Sequence, residues 1–214
     1  MTYLVSYCSP LNRSPQHSAG VTMPEKTYPK TITLSDGAAV TIELMNSEDR
    51  DAVLAFAGRL NEEDLLFLRV DITQPEVVDD WMSNINSGRT LSLAAFDDRG
   101  LVGYASVFKN AAPWTRRVGE IRVNVSQEYR TRGLGKNLAS EIFSVARGLG
   151  LKKLMANMTS DQHGAQSAFR RLGFVPEALL ADYVEDRKGT PRDLVIMSYD
   201  IDGHSDRIAD TVKI

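Results

Sequence analysis

The segment from Val118 to Gly150 constrains the fold of this chain more than any other part of the sequence. Residues 118–125 alternate apolar and polar side chains, which is typical of a half-buried β-strand. A turn with two glycines follows, and the residues after it repeat apolar side chains at helical spacings of three and four. A strand, turn and helix in this order leave the free N–H groups and the positive dipole end of the first helical turn facing outward. We therefore expect an anion, such as a phosphate, to bind at this turn.

The composition of the turn agrees with this expectation. Gly133 and Gly135 have no Cβ, so the backbone there can approach a ligand closely. Basic side chains surround the two glycines: Arg130, Arg132 and Lys136. The turn therefore combines close backbone approach with positive charge.

Two common phosphate-binding motifs do not fit this turn. A Walker A loop needs a hydroxyl residue where this chain has Asn137, and a first glycine where it has Arg130. A Rossmann fingerprint needs a third glycine where this chain has Leu138, and an acidic residue in the region that holds Lys152 and Lys153. Neither a P-loop NTPase nor a dinucleotide-binding domain is expected.

Two segments of the sequence instead resemble one family. Residues 130–135 read R-T-R-G-L-G and are similar to the R/Q-x-x-G-x-G/A signature of the GNAT acetyltransferase superfamily. Residues 168–174 read A-F-R-R-L-G-F and resemble the second GNAT signature, a helix that ends in Leu-Gly-Phe before a strand. The two segments occur in the family's order, and the resemblance extends over residues 31–202.

The resemblance implies that acetyl-CoA is the cosubstrate, and it implies which residues bind it. The residues that would hold the pyrophosphate are Arg130, Arg132, Gly133, Leu134, Gly135 and Lys136. The strand residues that would pair with the amides of the pantetheine arm are Val123, Asn124 and Val125, since an unpaired strand edge offers matching donors and acceptors. Gln162 and Phe169 would lie close to the thioester and the far end of the cofactor.

Acetyl transfer to an amine requires a neutral amine, so a general base or a proton wire helps at neutral pH. Family members often place a glutamate on the strand before the glycine turn, and Glu120 matches that region. Glu120 is therefore the candidate catalytic residue. The alternative is an ordinary exposed carboxylate on a half-buried strand.

The residue that would protonate the departing thiolate differs from the family pattern. Many GNAT enzymes have a tyrosine in the last helix, and the matching position here is Phe169, which has no proton to give. Water, Tyr183 or Tyr104 could take that role. The chain could also be a GNAT-like module that binds acetyl-CoA for regulation with weak catalysis.

Other polar groups have both a functional and a structural interpretation. His163 could act as a base beside Asp161, but an N-cap aspartate next to an exposed histidine is the simpler interpretation. The acidic run at residues 61–64 could attract a cationic amine, or it could be a solvated helix end. The histidines share no ligand spacing with cysteine or carboxylates, so no metal site is expected.

The order of elements predicts an α/β (α+β) fold, with a mixed, mostly antiparallel central sheet and helices on both faces. Residues 1–30 are rich in proline and predict a flexible extension, residues 31–202 form the GNAT-like domain, and residues 203–214 form a tail. Ser47 is the expected N-cap of the first helix, and residues 73–76, Thr-Gln-Pro-Glu, are the expected capping box of the second.

The bulk composition restricts the partners. The net charge of −3 argues against nucleic-acid binding. No apolar run is long enough to span a bilayer, and the N-terminus lacks the pattern of a signal peptide, so a cytoplasmic protein is expected. A homodimer is common in the family that the chain resembles.

Taken together, the sequence predicts an N-acetyltransferase that moves an acetyl group from acetyl-CoA to an amine by direct attack in a ternary complex. An acyltransferase that uses another acyl-CoA or an oxygen acceptor remains an alternative on the same scaffold. The acceptor itself is not identified by any sequence motif.

Overall fold

The computed structural model describes residues 28–66, 68–110 and 112–203, in which eight β-strands form one sheet. In chain order the strands are β1 (Lys30–Thr33), β2 (Ala39–Leu44), β3 (Thr90–Asp97), β4 (Gly100–Lys109), β5 (Val118–Val125), β6 (Lys153–Thr159), β7 (Val175–Glu185) and β8 (Pro191–Asp200). Their spatial order is β1-β2-β3-β4-β5-β6-β8-β7. All neighbouring strands are antiparallel except β5 and β6, which are parallel.

Helices cover both faces of this sheet. They are α1 (Arg50–Ala57), α2 (Glu62–Leu66), α3 (Pro75–Asn86), α4 (Leu134–Gly148) and α5 (His163–Arg171). One hydrophobic cluster joins α1 and α3 to β3 and β4 through residues such as Phe56, Trp81 and Tyr104. A larger cluster joins α4 to the other face through residues such as Leu138 and Ile142. The predicted fold class, a mixed and mostly antiparallel sheet between helices, is confirmed.

The parallel pair β5–β6 is paired over only three residues of each strand, Val118–Glu120 with Lys153–Met155. Beyond that point β5 remains paired with β4 as far as Val125. In the same way, β6 remains paired with β8 as far as Thr159. The facing edges of residues 121–125 and 156–159 are not paired with each other. We call this opening the β5–β6 gap.

Two predicted helix caps are wrong. The N-terminus before α1 is capped by Asn46, whose side chain accepts a hydrogen bond from the Glu48 N–H at 2.8 Å, and not by Ser47. Asn46 takes the N-cap position because a short 3₁₀ turn, residues 47–49, precedes the helix and Ser47 is the first residue of that turn. At α3 the N-cap is Gln74, and the Thr73 hydroxyl donates to the Asp71 carboxylate instead of capping the helix. A nearby carboxylate is a stronger acceptor for that hydroxyl.

The predicted extension and tail fall mainly on residues 1–27 and 204–214, which lie outside the described residues. Among the helices of the described part of the chain, none has the length and apolar character needed to cross a membrane.

Close packing of β4 against β5 gives a first testable prediction. A Cβ at residue 103 would lie 2.9 Å from the Asn124 carbonyl oxygen and 3.3 Å from Leu138 Cδ1. Because a backbone oxygen cannot move without disturbing the β4–β5 ladder, Gly103→Ala should lower the free energy of unfolding by about 1–3 kcal/mol. Urea denaturation measures this. Gly164→Ala is the matched control, since a Cβ at residue 164 would meet nothing within 4 Å. Equal stability of the two variants would contradict this close packing of β4 against β5 at Gly103.

Candidate active site

The glycine turn has the geometry that an anion cradle needs. Gly133 adopts φ of +91°, in the left-handed region that favours glycine, and α4 begins at the next residue. The Gly133 carbonyl accepts hydrogen bonds from the Asn137 N–H at 3.1 Å and from Asn137 Nδ2 at 3.0 Å. Within the described residues, the N–H groups of residues 134–136 have no acceptor. These donors are therefore free for a ligand, as expected for the first turn of a helix.

Two of the basic side chains of the cradle are bound by carboxylates of other elements. Arg132 forms an ion pair with Asp36, in the β1–β2 turn, and its guanidinium lies 5.0 Å from the centre of the Tyr129 ring. Arg130 Nη2 donates to Asp64 Oδ1 of α2 at 2.5 Å, and its Nε donates to the Val125 carbonyl at 3.3 Å. Lys136 is exposed and makes no ion pair within the described residues. The sequence did not predict these two aspartate partners, because both are distant in the chain.

The segment 123–125 of β5 lies between β4 and the gap. Its backbone pairs with residues 103–105 of β4 on one side and has no β6 partner on the other. Val123 and Val125 pack against the cluster under α4, which places Asn124 on the opposite face of the strand. One backbone edge of this segment is therefore available along the gap.

Gln162 and Phe169 are not equivalent in the structure. Gln162 Oε1 accepts a hydrogen bond from the Thr159 N–H at 3.0 Å, at the end of β6. The Phe169 ring instead packs edge-to-face on Phe174 at 5.0 Å, within an aromatic group that also contains Phe143 and Tyr199. The structure therefore places Gln162 at the gap, whereas the Phe169 ring is partly buried and packs against the hydrophobic core.

A polar pair beside Gln162, formed by Gln166 and Thr159, was not predicted from the sequence. Gln166 is buried, and its Nε2 donates to the carbonyls of Thr159 and Ser160 at 3.2 and 2.8 Å. The Thr159 hydroxyl oxygen is buried and has no hydrogen-bond partner within the described residues. A buried polar atom without a partner is unfavourable unless something else binds it. The available signal was the position of Gln166 next to Ala165 and three residues before Phe169, the two residues of α5 that pack against the core.

A cleft of 540 Å³ opens beside β5 and β6, on the face that α4 does not cover. Glu120 lies in it with both carboxylate oxygens bound: Arg69 donates to Oε2, and Arg122 Nε donates to Oε1 at 3.1 Å. The Arg122 guanidinium lies 4.1 Å from the centre of the Phe108 ring. Burial lowers the pKa of Arg122, while the neighbouring charge of Glu120 opposes that shift.

A second pocket of 320 Å³ adjoins this cleft and shares Arg122 and Phe108 with it. Tyr104 lies in this pocket, and burial raises the pKa of its hydroxyl, against the effect of a hydrogen bond with the Asn124 side chain. Tyr183 is 64% exposed on β7. Of the two tyrosines named as proton donors, only Tyr104 lines either of these pockets.

Sequence reasoning missed the two arginines of the cleft. Arg122 follows Glu120 by two positions on one strand, so the period of two could have indicated a shared face. Arg69 comes from the connection between α2 and α3, and no sequence pattern brings it to β5. The arrangement depends on tertiary packing.

The other polar groups named from the sequence have structural partners. Asp161 accepts a hydrogen bond from Arg192 Nη1 at 2.8 Å and does not cap α5, whose N-cap is Gln162. In the acidic run, Asn61 Oδ1 accepts from the Asp64 N–H at 2.7 Å, which makes this run the first turn of α2. Across the described part of the chain, no group of three or more potential metal ligands lies together.

The element order, the parted parallel strands and the glycine turn at the start of α4 define an acyltransferase fold of the GNAT type. The family model "Acetyltransferase (GNAT) family" matches residues 58–174, which is more than half of the chain. The chain belongs to the GNAT acetyltransferase family, and it is an acyltransferase of that family.

Individual relatives agree with this assignment. The chain is 24% identical over 164 residues to the Bacillus subtilis (strain 168) protein named "Putative phosphinothricin acetyltransferase YwnH", with coverage of 76% of this chain and 99% of the relative. It is similar to the solved structure of yncA from Salmonella typhimurium, which contains its cofactor acetyl-CoA, with a TM-score of 0.68, 22% identity and coverage of 78% and 97%. It is also similar to a ribosomal-protein-alanine N-acetyltransferase from Brucella melitensis, with a TM-score of 0.65, 24% identity and coverage of 74% and 98%. At these identities the two structures support the fold.

The geometry of the turn predicts opposite effects for its two glycines. A Cβ at residue 135 would lie 3.6 Å from Val125 Cγ2, an ordinary contact, within a helix. Gly135→Ala should therefore leave the free energy of unfolding unchanged or raise it by up to about 1 kcal/mol. Gly133→Ala should lower it by about 1–2 kcal/mol, because alanine is strained at positive φ. Chemical denaturation of both variants without ligand measures the difference. A large loss of stability in Gly135→Ala would mean that this glycine is needed for folding and not for a ligand.

Proposed function

We propose that this protein is an N-acetyltransferase that uses acetyl-CoA and transfers its acetyl group to an amine in a ternary complex. The β5–β6 gap is the observation that carries this proposal. It begins next to Glu120, in the cleft, and extends along β5 to Val125, just before the glycine turn. One long ligand can therefore reach from an anion cradle to a polar cleft.

Three features of the chain fit acetyl-CoA. The free N–H groups at residues 134–136, with Gly133 and Gly135, would hold the pyrophosphate, and Arg130, Arg132 and Lys136 would add positive charge. The free edge of Val123, Asn124 and Val125 would bind the amides of the pantetheine arm. Gln162, next to the unpartnered Thr159 hydroxyl, would lie near the far end of the arm, with Phe169 behind it as a packing residue.

Acetyl-CoA supplies an activated acyl group when it is bound, and the protein has to orient the amine and move protons. Orientation of two bound reactants can contribute about 7–11 kcal/mol. The free N–H groups of β5 along the gap can polarise the acyl carbonyl. Glu120 can accept a proton from the acceptor ammonium. Because Phe169 has no proton to donate, we propose Tyr104 as the donor to the leaving thiolate, since it lines the pocket that adjoins the Glu120 cleft.

The similar proteins suggest acceptors that can be tested. One relative carries phosphinothricin in its name and another acts on a ribosomal-protein alanine. These names indicate a small amine and a protein N-terminus, respectively. Thiol release from acetyl-CoA should be measured with both kinds of acceptor. A protein that binds acetyl-CoA but never exceeds the enzyme-free rate with any amine would not be an N-acetyltransferase.

The cradle is tested by placing an anion in it. Gly135→Asp should abolish the thermal stabilisation by acetyl-CoA, because its carboxylate would lie where the pyrophosphate is proposed to bind. At a hundredfold excess over its Kd, acetyl-CoA should stabilise the native protein by about 2.7 kcal/mol. Ser140→Asp is the matched control: it adds the same charge at an exposed position of α4, beyond the first turn. Normal stabilisation of Gly135→Asp would exclude the proposed cradle.

The proton acceptor is tested by Glu120→Gln. An amide keeps the shape of the side chain but cannot accept the ammonium proton, so kcat should fall by roughly 10²–10⁴-fold at neutral pH. The thermal shift with acetyl-CoA should persist, because Glu120 is in the cleft and not in the cradle. Glu76→Gln, at an exposed position in the first turn of α3, is the control. An unchanged kcat in Glu120→Gln would exclude Glu120 as the base.

A further inference from the structure

The charge of the cleft restricts the kind of acceptor that it can bind. The ionisable residues that line it are Arg69, Lys109, Arg122 and Glu120, three cations and one carboxylate. Like charges repel strongly at a partly desolvated site. An acceptor that carries only an ammonium group would therefore meet an excess of positive charge. An acceptor that also carries an anion would compensate it.

The two arginines bound to Glu120 differ in how firmly they are held. The Arg122 side chain is 26% exposed, emerges from a strand paired on β4 and stacks on Phe108. The Arg69 side chain is 57% exposed and emerges from the connection between α2 and α3. The arginine side of this pair is exposed to solvent, whereas Glu120 is 22% exposed, and solvent-screened ion pairs contribute little to stability. Arg69 is therefore the partner that a ligand can take from Glu120 at low cost.

Exchange of that partner would leave two complementary charges side by side. Arg69 would present a guanidinium, which binds carboxylates and phosphonates in a two-pronged geometry. Glu120 would present one freed carboxylate oxygen, which can bind an ammonium group, while its other oxygen remains bound to Arg122. Arg69 and Glu120 are in direct contact in the structure, so the anion and the ammonium that bind them must lie close together in the ligand.

We propose that the acceptor is a small zwitterion in which an amine and a carboxylate or phosphonate lie on the same or adjacent carbons, as in an α-amino acid. It binds by replacing the Arg69–Glu120 ion pair, with its anion on Arg69 and its ammonium on Glu120. This inference rests on the proposed function and names the substrate class of the same site.

The chemistry of this arrangement balances without another reactant. The ammonium loses one proton to Glu120, and the neutral nitrogen forms the N–C bond as the C–S bond breaks. The nitrogen then loses a second proton, which balances the proton gained by the thiol of the released CoA. Glu120 returns its own proton to water. Binding thus removes Arg69 from the carboxylate that must accept the proton.

The decisive comparison uses α-amino acids and their own carboxamides, for example methionine with methioninamide and glycine with glycinamide. Each amide keeps the amine and the side chain and removes only the anion. The amine of such an amide is less basic, so a larger fraction of it is neutral at neutral pH. The reactivity of the amine alone would therefore favour the amides. We expect the amino acids to have a kcat/KM on the order of 10-fold or more above that of their amides, mainly through KM. Equal or higher kcat/KM for the amides would overturn the proposal.

Variants then assign the preference to one residue. Arg69→Gln should remove most of the discrimination between acid and amide by raising KM for the acid, with little change for the amide. Arg147→Gln, an exposed arginine in the last turn of α4, should retain it. Full discrimination in Arg69→Gln would contradict the assigned role. Arg69→Lys should restore the discrimination only in part, because lysine supplies the positive charge but not the two-pronged geometry of a guanidinium.

A binding experiment makes the test independent of turnover. In the presence of saturating CoA, titration calorimetry should detect binding of the free amino acid, no binding of its amide, and no binding of either to Arg69→Gln. The outcomes separate this inference from the proposed function. If acetyl-CoA stabilises the protein and amines without an anion, or peptide N-termini, are acetylated as well as amino acids, the proposed function stands and the zwitterion proposal falls. If no anion-bearing amine binds, the zwitterion proposal also falls.

Discussion

The site depends on one constraint in the sheet, the short parallel pairing of β5 with β6. The two strands are held together where Gly119 allows very close packing, since a Cβ there would lie 2.7 Å from Leu151 Cδ1 and 2.9 Å from Val107 Cγ2. After Glu120 each strand remains paired with its antiparallel neighbour but not with the other. Unpaired backbone groups inside a protein are costly unless a partner satisfies them. The gap is therefore a natural place for a ligand with amide groups.

Ion pairs between distant elements position the walls of this site. Arg130 joins the cradle to α2 through Asp64, and Arg132 joins it to the β1–β2 turn through Asp36. Arg187, in the β7–β8 turn, is paired with Asp71 before α3 at 2.7 Å. The Arg132–Asp36 and Arg187–Asp71 pairs are partly exposed on both sides and contribute at most about 1 kcal/mol each, whereas the Asp64 side chain is only 11% exposed. They also orient the segments that they join: the turn before α4, the β1–β2 turn, α2 and the β7–β8 turn.

Phe169 illustrates how one substitution separates packing from chemistry. Its ring completes an aromatic group with Phe143, Phe174 and Tyr199 and packs against the hydrophobic core. A phenylalanine fulfils that structural role without a hydroxyl. The polar groups nearest to this region come from Gln162, Gln166 and the unpartnered Thr159 hydroxyl. In the proposed mechanism the proton for the thiolate would come from Tyr104, which lies on the other face of the sheet, in the cluster under α1 and α3.

The sequence by itself determined the features that are local in the chain. The alternation of residues 118–125, the glycines at 133 and 135 and the helical spacing after them predict β5, the turn and α4 correctly, because each is set by neighbours within a few residues. The two family signatures extend this to the whole fold. Tertiary structure decided what depends on distant residues: Asn46 and Gln74 as caps, the aspartate partners of the cradle arginines, and the contact of Arg69 with Glu120. Ion pairs between distant residues form only when the chain has folded. A surface arginine also has no periodic sequence pattern that would indicate its partner. For that reason the sequence predicted the glycine turn before α4, whereas the charge of the cleft around Glu120 emerged only from the packing of α2, α3 and β5.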